Sequence, residues 1–194
     1  MAQPQLRRMT PEEFLAWQQL QDALHELVDG APELPPKMLT GTSQAHDRVV
    51  VNLIAALHVQ LRGGPYRPAT GSLAISIPGG NVRRPDVSVD GGSADPRALS
   101  ATEPRILVEV MSPETVDFAR VRKVAEYQTI PTVDHILLVD TQAPRVDVWS
   151  RDGSVAWTQG KVAGLDGVIE LAALKLWLRL ADVFEGMHFG QSAA

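Results

Sequence analysis

Apolar side chains recur every three or four positions in three stretches of the chain, a spacing that predicts helices. In the first, Thr10 and Glu13 form a capping box ahead of Phe14, which predicts a helix over about residues 11 to 22. The second starts at Gln44 and ends at a double glycine, and the third lies between two prolines. These two stretches read AHDRVVVNLIAALHVQLRGG and TVDFARVRKVAEYQ.

Short runs rich in β-branched residues lie between and after these helices, separated by Gly, Pro, Asp or Ser, which is typical of strands. They read SLAISI, DVSVD, RILVEV, HILLVD, RVDVWS and SVAWTQ. A further short strand near Glu26 leads into a proline-rich loop, and the C-terminal segment LKLWLRLADVFEG is expected to pack on the core. The order predicts an α/β (α+β) fold with a central mixed sheet of five or six strands flanked by helices.

Composition narrows the picture further. A chain of 194 residues with 44% hydrophobic content suits one domain, and we expect a single domain over 1–194. Cysteine is absent, so strong metal ligands must be His or carboxylates. No stretch approaches the ~20 apolar residues needed to span a bilayer, so a cytoplasmic location is the expectation. The net charge of -5 argues against a broad DNA-coating surface, and any nucleic-acid contact must rely on local charge.

Two carboxylates stand in unusual places. Asp86 follows Arg84-Pro85 at the head of one predicted strand, and Glu109 lies inside the apolar run ILVEV, on the same face as Leu107. A buried carboxylate needs a partner, which is either a metal ion or a cation such as Arg84 or Arg105. Two carboxylates from adjacent strands make the oxygen-rich site that Mg²⁺ or Mn²⁺ prefers, although Asp86 alone could be a turn residue.

Lys123 adds a cation to this pair. It lies four residues before Tyr127 on the third predicted helix, so both side chains can point at one site. An ammonium there would orient a water and offset charge that builds on a phosphate, whereas a lone helix lysine is more often a solvated charge. The surrounding basic residues are the best candidates for a phosphate-facing patch, with a solvated helix surface as the alternative; they are Arg83, Arg84, Arg120, Arg122 and Lys123.

The strings RPDVSV, ILVEVMSPETVDFARVRKVAEYQ and HILLVD resemble the Uma-two putative restriction endonuclease family of the PD-(D/E)xK nuclease superfamily. The resemblance extends over about residues 9 to 186, with an N-terminal EEF helix, an ELVDG segment around Glu26 and a helix beginning near His46. It implies a restriction-endonuclease-like fold with a carboxylate metal site.

By position, the resemblance makes Asp86 the PD aspartate and Glu109 the second acid. Met111 occupies the place of the usual motif lysine, and Lys123 looks like its migrated replacement. Glu26 resembles the carboxylate that completes such metal sites, and His46 resembles a recurrent family histidine. The chain departs from its relatives over residues 130–135, on the substrate side of the expected fold.

The sequence therefore predicts a Mg²⁺- or Mn²⁺-dependent endonuclease that hydrolyses DNA phosphodiester bonds by metal-activated water. Symmetric cutting of two antiparallel strands leads us to expect a homodimer, by analogy. Two alternatives stay open: a catalytically idle nucleic-acid or protein-binding module on a nuclease fold, and a metal hydrolase acting on a smaller phosphate ester. The remaining histidines are expected to be structural or on the surface, namely His25, His58, His135 and His188.

Overall fold

The structure is a computed structural model that describes residues 8–35, 43–111, 117–151, 153 and 156–189, with residues 117–120 described by their backbone alone. Four helices lie in these ranges: α1 (Pro11–Gln18), α2 (Gln44–Leu61), α3 (Asp117–Gln128) and α4 (Leu180–Val183). The three predicted helices are present as α1, α2 and α3. Residues 115 and 116 of the third predicted helix lie outside the described residues.

Helix α1 begins where the capping box predicts, since Thr10 Oγ1 accepts from the Glu13 N–H and the Glu13 carboxylate accepts from the Thr10 N–H. The predicted end near residue 22 is wrong, because the helix ends at Gln18. The Gln18 side chain donates to the Ala23 carbonyl and accepts from the His25 N–H, at 2.7 Å each. These bonds stabilise a reversal of the chain that a continued helix would not allow.

Helix α2 shows why its apolar spacing is a reliable signal. Ser43 caps its N-terminus by accepting from the His46 N–H, and its buried face consists of residues one turn apart. The apolar residues of that face are Val49, Leu53, Leu57 and Leu61. The helix stops just before Gly63, whose φ of +78° favours glycine.

The strands are β1 (Glu26–Val28), β2 (Ala31–Glu33), β3 (Arg67–Thr70), β4 (Ile75–Ser76), β5 (Val82–Arg83), β6 (Val87–Asp90), β7 (Pro104–Met111), β8 (His135–Asp140), β9 (Arg145–Ser150), β10 (Thr158–Ala163), β11 (Val168–Leu171) and β12 (Leu176–Arg179). Six of them form a mixed sheet in the order β10-β9-β8-β7-β6-β3. This confirms the predicted central sheet of five or six strands. The β7–β8 pair is parallel, and α3 lies in the connection between these two strands.

The membership of this sheet differs from the prediction at both edges. Its sixth strand is β3, whose RPAT sequence lacks apolar alternation because it is an edge strand and carries Pro68. The predicted strand SLAISI is reduced to Ile75–Ser76 and belongs to a separate sheet of order β2-β1-β5-β4. Residues 154 and 155 of the predicted SVAWTQ strand lie outside the described residues, residues 156 and 157 are not in a strand, and β10 begins at Thr158. β10 is a largely exposed edge strand held by backbone pairing with β9.

The central sheet has a hydrophobic cluster on each face. One cluster joins α2 to the sheet and to the C-terminal β11–β12 hairpin and α4, which confirms that the C-terminal segment packs on the core, although part of it is a strand. The other cluster joins Leu107 and Ile136 of the sheet to Val124 and Tyr127 of α3. Within the described part of the chain, no helix combines the length and apolar character that a membrane crossing requires.

Candidate active site

Asp86 lies immediately before β6, at the point where this strand meets β7. Because Val87 pairs with Val108, continuing the antiparallel register places Asp86 beside Glu109. Asp86 Oδ2 accepts a hydrogen bond from the Val110 N–H at 2.7 Å, which fixes the carboxylate against β7. The two predicted acids are therefore neighbours in the structure.

His46 approaches Asp86 from the first turn of α2. Its Nε2 lies 3.3 Å from Asp86 Oδ1, and both side chains are more than nine-tenths buried. A cleft of about 310 Å³ opens beside this pair, lined by both residues together with Arg84 and the apolar side chains of Leu24 and Val50. Asp86 is thus reachable from the α2 side of the molecule.

Glu109 points to the opposite face of the sheet from Val108, toward α3. Its Oε1 accepts from Tyr127 Oη at 2.6 Å and from Lys123 Nζ at 3.1 Å. Burial and the neighbouring Glu109 carboxylate raise the pKa of Tyr127 well above its usual range, so the phenol remains a hydrogen-bond donor. Glu109 therefore has Lys123 as a cationic partner, whereas Arg105 pairs with Asp134.

Lys123 bridges two carboxylates. Besides Glu109, its Nζ donates to Glu26 Oε1 at 2.9 Å, although Glu26 is 97 residues away along the chain. Burial acts against the charge of this ammonium, but attraction to Glu109 and Glu26 outweighs burial and raises the pKa of Lys123 above its usual range. Lys123 is consequently a fixed positive charge rather than a solvated helix lysine.

Glu26, on β1, is buried and accepts from donors on both oxygens. Oε1 accepts from the Arg84 N–H as well as from Lys123, and Oε2 accepts from Arg83 Nη1 at 3.0 Å. Burial tends to raise the pKa of Glu26, but Lys123 and Arg83 outweigh it and lower the pKa. These contacts join Glu26 to Lys123, and its role as a metal ligand stays a prediction.

The described residues contain no group of three or more His, Asp or Glu side chains arranged to hold a metal ion. The donors that could serve are the oxygens of Asp86 and Glu109, which adjacent strands bring together. Mg²⁺ usually keeps several waters and takes only one or two carboxylates plus substrate phosphate. A two-carboxylate pair therefore fits this class of ion, with water and phosphate as the other ligands.

The predicted phosphate-facing patch is wrong for two of its members. Arg83 and Arg84 are only 5% and 4% exposed. Arg84 donates to the carbonyl oxygens of His25 and Ser72, and Arg83 pairs with Glu26 and Glu126. Arg122 is partly exposed and pairs with Asp29 and Glu126, while the side chain of Arg120 lies outside the described residues. Consecutive arginines before a strand do not by themselves indicate a surface.

Sequence reasoning missed Glu126 and Asn81. Glu126 lies one turn after Lys123 on α3 and accepts from Arg83 Nε at 2.6 Å and from Asn81 Nδ2 at 2.8 Å. The available signal was the i,i+4 spacing of Arg122 and Glu126, which are ion-paired in the structure. That spacing alone does not reveal that Glu126 also pairs with the buried Arg83 of β5.

Three comparisons place the chain among known proteins. The sequence model of Uma2, described as a putative restriction endonuclease, matches residues 11–181. The protein slr1290 of Synechocystis sp. is 28% identical over 187 residues, 94% of either chain, and sll1609 of the same organism is 25% identical over 172 residues, 87% of this chain and 95% of that relative.

A crystal structure from Anabaena variabilis, described as a putative nuclease belonging to DUF820, has a similar fold. It aligns with a TM-score of 0.69 and 16% identity over 91% of this chain and 97% of the other. At this identity, the similarity establishes the fold alone.

Proposed function

This chain belongs to the Uma2 family of putative restriction endonucleases, and on that premise we propose that it is a divalent-metal-dependent endonuclease that hydrolyses DNA phosphodiester bonds. The observation that carries the proposal is the register of β6 and β7, which places Asp86 beside Glu109, together with Lys123 Nζ 3.1 Å from Glu109. Two acids and a lysine at one point of a sheet are the groups that phosphodiester hydrolysis with a metal ion requires.

Asp86 and Glu109 are the residues that would hold Mg²⁺ or Mn²⁺. When bound, such an ion polarises a phosphoryl oxygen and lowers the pKa of a water toward neutrality. The contacts of the two acids support this assignment, because the Val110 N–H orients Asp86 and the Tyr127 hydroxyl orients Glu109. Preoriented carboxylates lose little freedom when they bind an ion.

Lys123 would contribute its positive charge to the reaction. Since Glu26 and Glu109 keep the ammonium protonated, it acts by attraction and by orienting water rather than by accepting a proton. With its side chain only 16% exposed, such a charge offsets the negative charge that builds on the phosphate more effectively than it would in water. The cleft beside Asp86 and His46 is the route by which we expect the nucleic-acid backbone to reach Asp86.

The proposal is tested by nicking of supercoiled DNA in Mg²⁺ or Mn²⁺. Asp86→Asn and Glu109→Gln should each reduce the rate by about 100-fold or more, the scale on which loss of electrostatic stabilisation acts. Matched controls are Asp166→Asn and Glu170→Gln, which make the same chemical changes at exposed positions and should leave the rate unchanged. Equal rates in the wild type and both site variants would overturn the proposal.

We further propose that the active form is a homodimer, because two sites related by a two-fold axis match two antiparallel DNA strands. Sedimentation equilibrium measures the mass directly. A dimer would yield linear DNA early in the reaction, whereas a monomeric enzyme would accumulate nicked circles first.

One observation favours the alternative of a catalytically idle binding module. Lys123 already neutralises part of the charge on Glu26 and Glu109, so these carboxylates have a structural partner without any metal. An idle module would show no thermal shift with Mg²⁺, Mn²⁺ or Ca²⁺ and no cleavage of any nucleic acid. A nuclease would instead be stabilised by at least one of these ions.

A further inference from the structure

Lys123 belongs to a set of four ion-paired side chains in the interior of the protein. Arg83 is its centre: Nε and Nη2 donate to the two oxygens of Glu126 at 2.6 and 2.9 Å, and Nη1 donates to Glu26 Oε2 at 3.0 Å. Glu26 in turn accepts from Lys123. We call Lys123, Glu26, Arg83 and Glu126 the inner ion ring.

The inner ion ring joins three elements and closes on one of them. It starts at Lys123 on α3, passes through Glu26 on β1 and Arg83 on β5, and returns to α3 at Glu126, one turn beyond Lys123. Glu26 is therefore held on both oxygens, one by the lysine and the other by Arg83.

Stability alone is a poor reason for such a ring. Arg83 and Glu26 are 5% and 3% exposed, and burial opposes the charge on each of them. Buried ion pairs are often no more stabilising than apolar side chains of similar volume, because desolvation cancels much of their attraction. What the ring does supply is a defined geometry, since a bidentate guanidinium–carboxylate contact restricts both position and angle.

We propose that Arg83 and Glu126 are positioning residues, which fix Glu26 so that it holds the Lys123 ammonium beside Glu109. The use of that ammonium in catalysis rests on the proposed function, whereas the positioning itself does not. Arg83 is 5% exposed and uses three of its N–H donors on Glu26 and Glu126, so both residues act through Glu26 and Lys123.

The ring has an outer connection that should matter less. Asn81 donates to Glu126 and accepts from the Asp29 N–H, and Arg122 Nη2 lies 2.6 Å from Asp29 Oδ1. The Asp29 side chain is 65% exposed, and exposed ion pairs contribute little. Arg122 Nε also donates to Glu126 Oε1 at 3.0 Å, but Glu126 keeps both bonds from Arg83 without it. Arg122→Gln should therefore disturb Lys123 much less than Arg83→Gln does.

The experiment measures how readily Lys123 reacts, without any substrate or metal. The chain has four lysines, so competitive acylation with acetic anhydride, read by mass spectrometry, reports each one separately. Lys161, whose side chain is 57% exposed, is the internal reference. The full-length wild type should acylate Lys123 at least about tenfold more slowly than Lys161, equivalent to about 1.4 kcal/mol of protection.

Arg83→Gln should raise the Lys123/Lys161 ratio severalfold. The matched control is Arg105→Gln, which breaks another partly buried arginine–carboxylate contact, with Asp134, and should leave the ratio unchanged. If Arg83→Gln does not fold, Glu126→Gln keeps the shape of the side chain and should raise the ratio by a smaller factor. An unchanged ratio in a folded variant of Arg83 or Glu126 would overturn the positioning role.

A second readout separates this inference from the proposed function. For a nuclease, Arg83→Gln should lower kcat while KM and Mn²⁺ affinity stay near wild type, and Arg105→Gln should change none of them. A raised labelling ratio in a protein that cleaves nothing would support the positioning role and count against the nuclease. An unchanged ratio in an active protein would remove the positioning role alone.

Discussion

The contacts of Glu109 show how single groups define this site. A carboxylate inside an apolar strand is costly unless donors surround it, and Tyr127 supplies one from a fully buried ring at 2.6 Å. The phenol contributes both packing and a hydrogen bond, and these two contributions can be separated by mutation. Lys123 supplies a charge that no neutral donor can replace.

Tyr127→Phe should lower the free energy of unfolding by about 1–2 kcal/mol, because the ring still fills its place while Glu109 loses a donor. Urea denaturation measures the change. Tyr66→Phe is the matched control, since the Tyr66 ring contacts the Arg105 guanidinium through its face and keeps that contact without the hydroxyl. Equal effects of the two substitutions would contradict the role of the Tyr127 hydroxyl.

Lys123→Gln should reduce the rate of cleavage by about 100-fold or more, while Mn²⁺ affinity is kept or increased. The reason is that the lysine repels a bound cation in the resting protein but attracts the phosphate during reaction. Calorimetry measures the Mn²⁺ affinity, and the nicking assay on the same preparation measures the cleavage rate. Loss of Mn²⁺ binding in this variant would show that Lys123 organises the acids rather than the phosphate.

His135 provides a test of pH dependence away from the site. Burial lowers its pKa to about 4 from the usual 6.5, so the folded protein favours the neutral ring. The unfolded chain then binds a proton at higher pH than the folded one. Stability should be complete above about pH 6.5 and fall by about 3 kcal/mol as the pH drops to about 4.

His135→Asn removes the titrating group and keeps a hydrogen-bonding side chain near Ser150 Oγ, to which His135 Nδ1 is hydrogen-bonded at 2.9 Å. Its unfolding free energy should change less than that of the wild type between pH 7 and pH 4. Parallel pH profiles of the two proteins would show that His135 does not set the acid sensitivity.

At the scale of elements, the sequence predicted correctly those features whose residues lie close together along the chain. The capping box of α1 and the apolar face of α2 are readable from spacing because the residues that form each of them lie three or four positions apart. The end of α1 was not readable, since it depends on Gln18 bonding to Ala23 and His25. Strands β3 and β10 were missed or misplaced because edge strands need little apolar alternation.

Thr10→Ala should destabilise the protein by about 1 kcal/mol, because the Glu13 N–H loses its acceptor. Thr10→Ser keeps the hydroxyl and should stay within a few tenths of the wild type. Thermal or urea denaturation distinguishes the two variants. Equal stability of Ala and Ser at this position would mean that the cap does not hold the start of α1.

At the scale of the molecule, the fold brings residues from α2, β1, β6, β7 and α3 to one region of the sheet. The sequence predicted Asp86, Glu109 and Lys123 because two adjacent strands and the helix that follows them lie within a short segment of the chain. It could not predict that Lys123 bridges to Glu26, or that Arg83 pairs with Glu126, because these contacts span 97 and 43 residues. Long-range pairing of buried charges is a property of the folded chain.

The nuclease account depends most directly on whether Asp86 and Glu109 hold a divalent ion. The decisive measurement is calorimetric titration of Mn²⁺ into the wild type, Asp86→Asn and the exposed control Asp166→Asn. The account predicts saturable binding in the wild type and the control, and its loss in Asp86→Asn. Binding that is the same in all three proteins would contradict the assignment of these acids as the metal site.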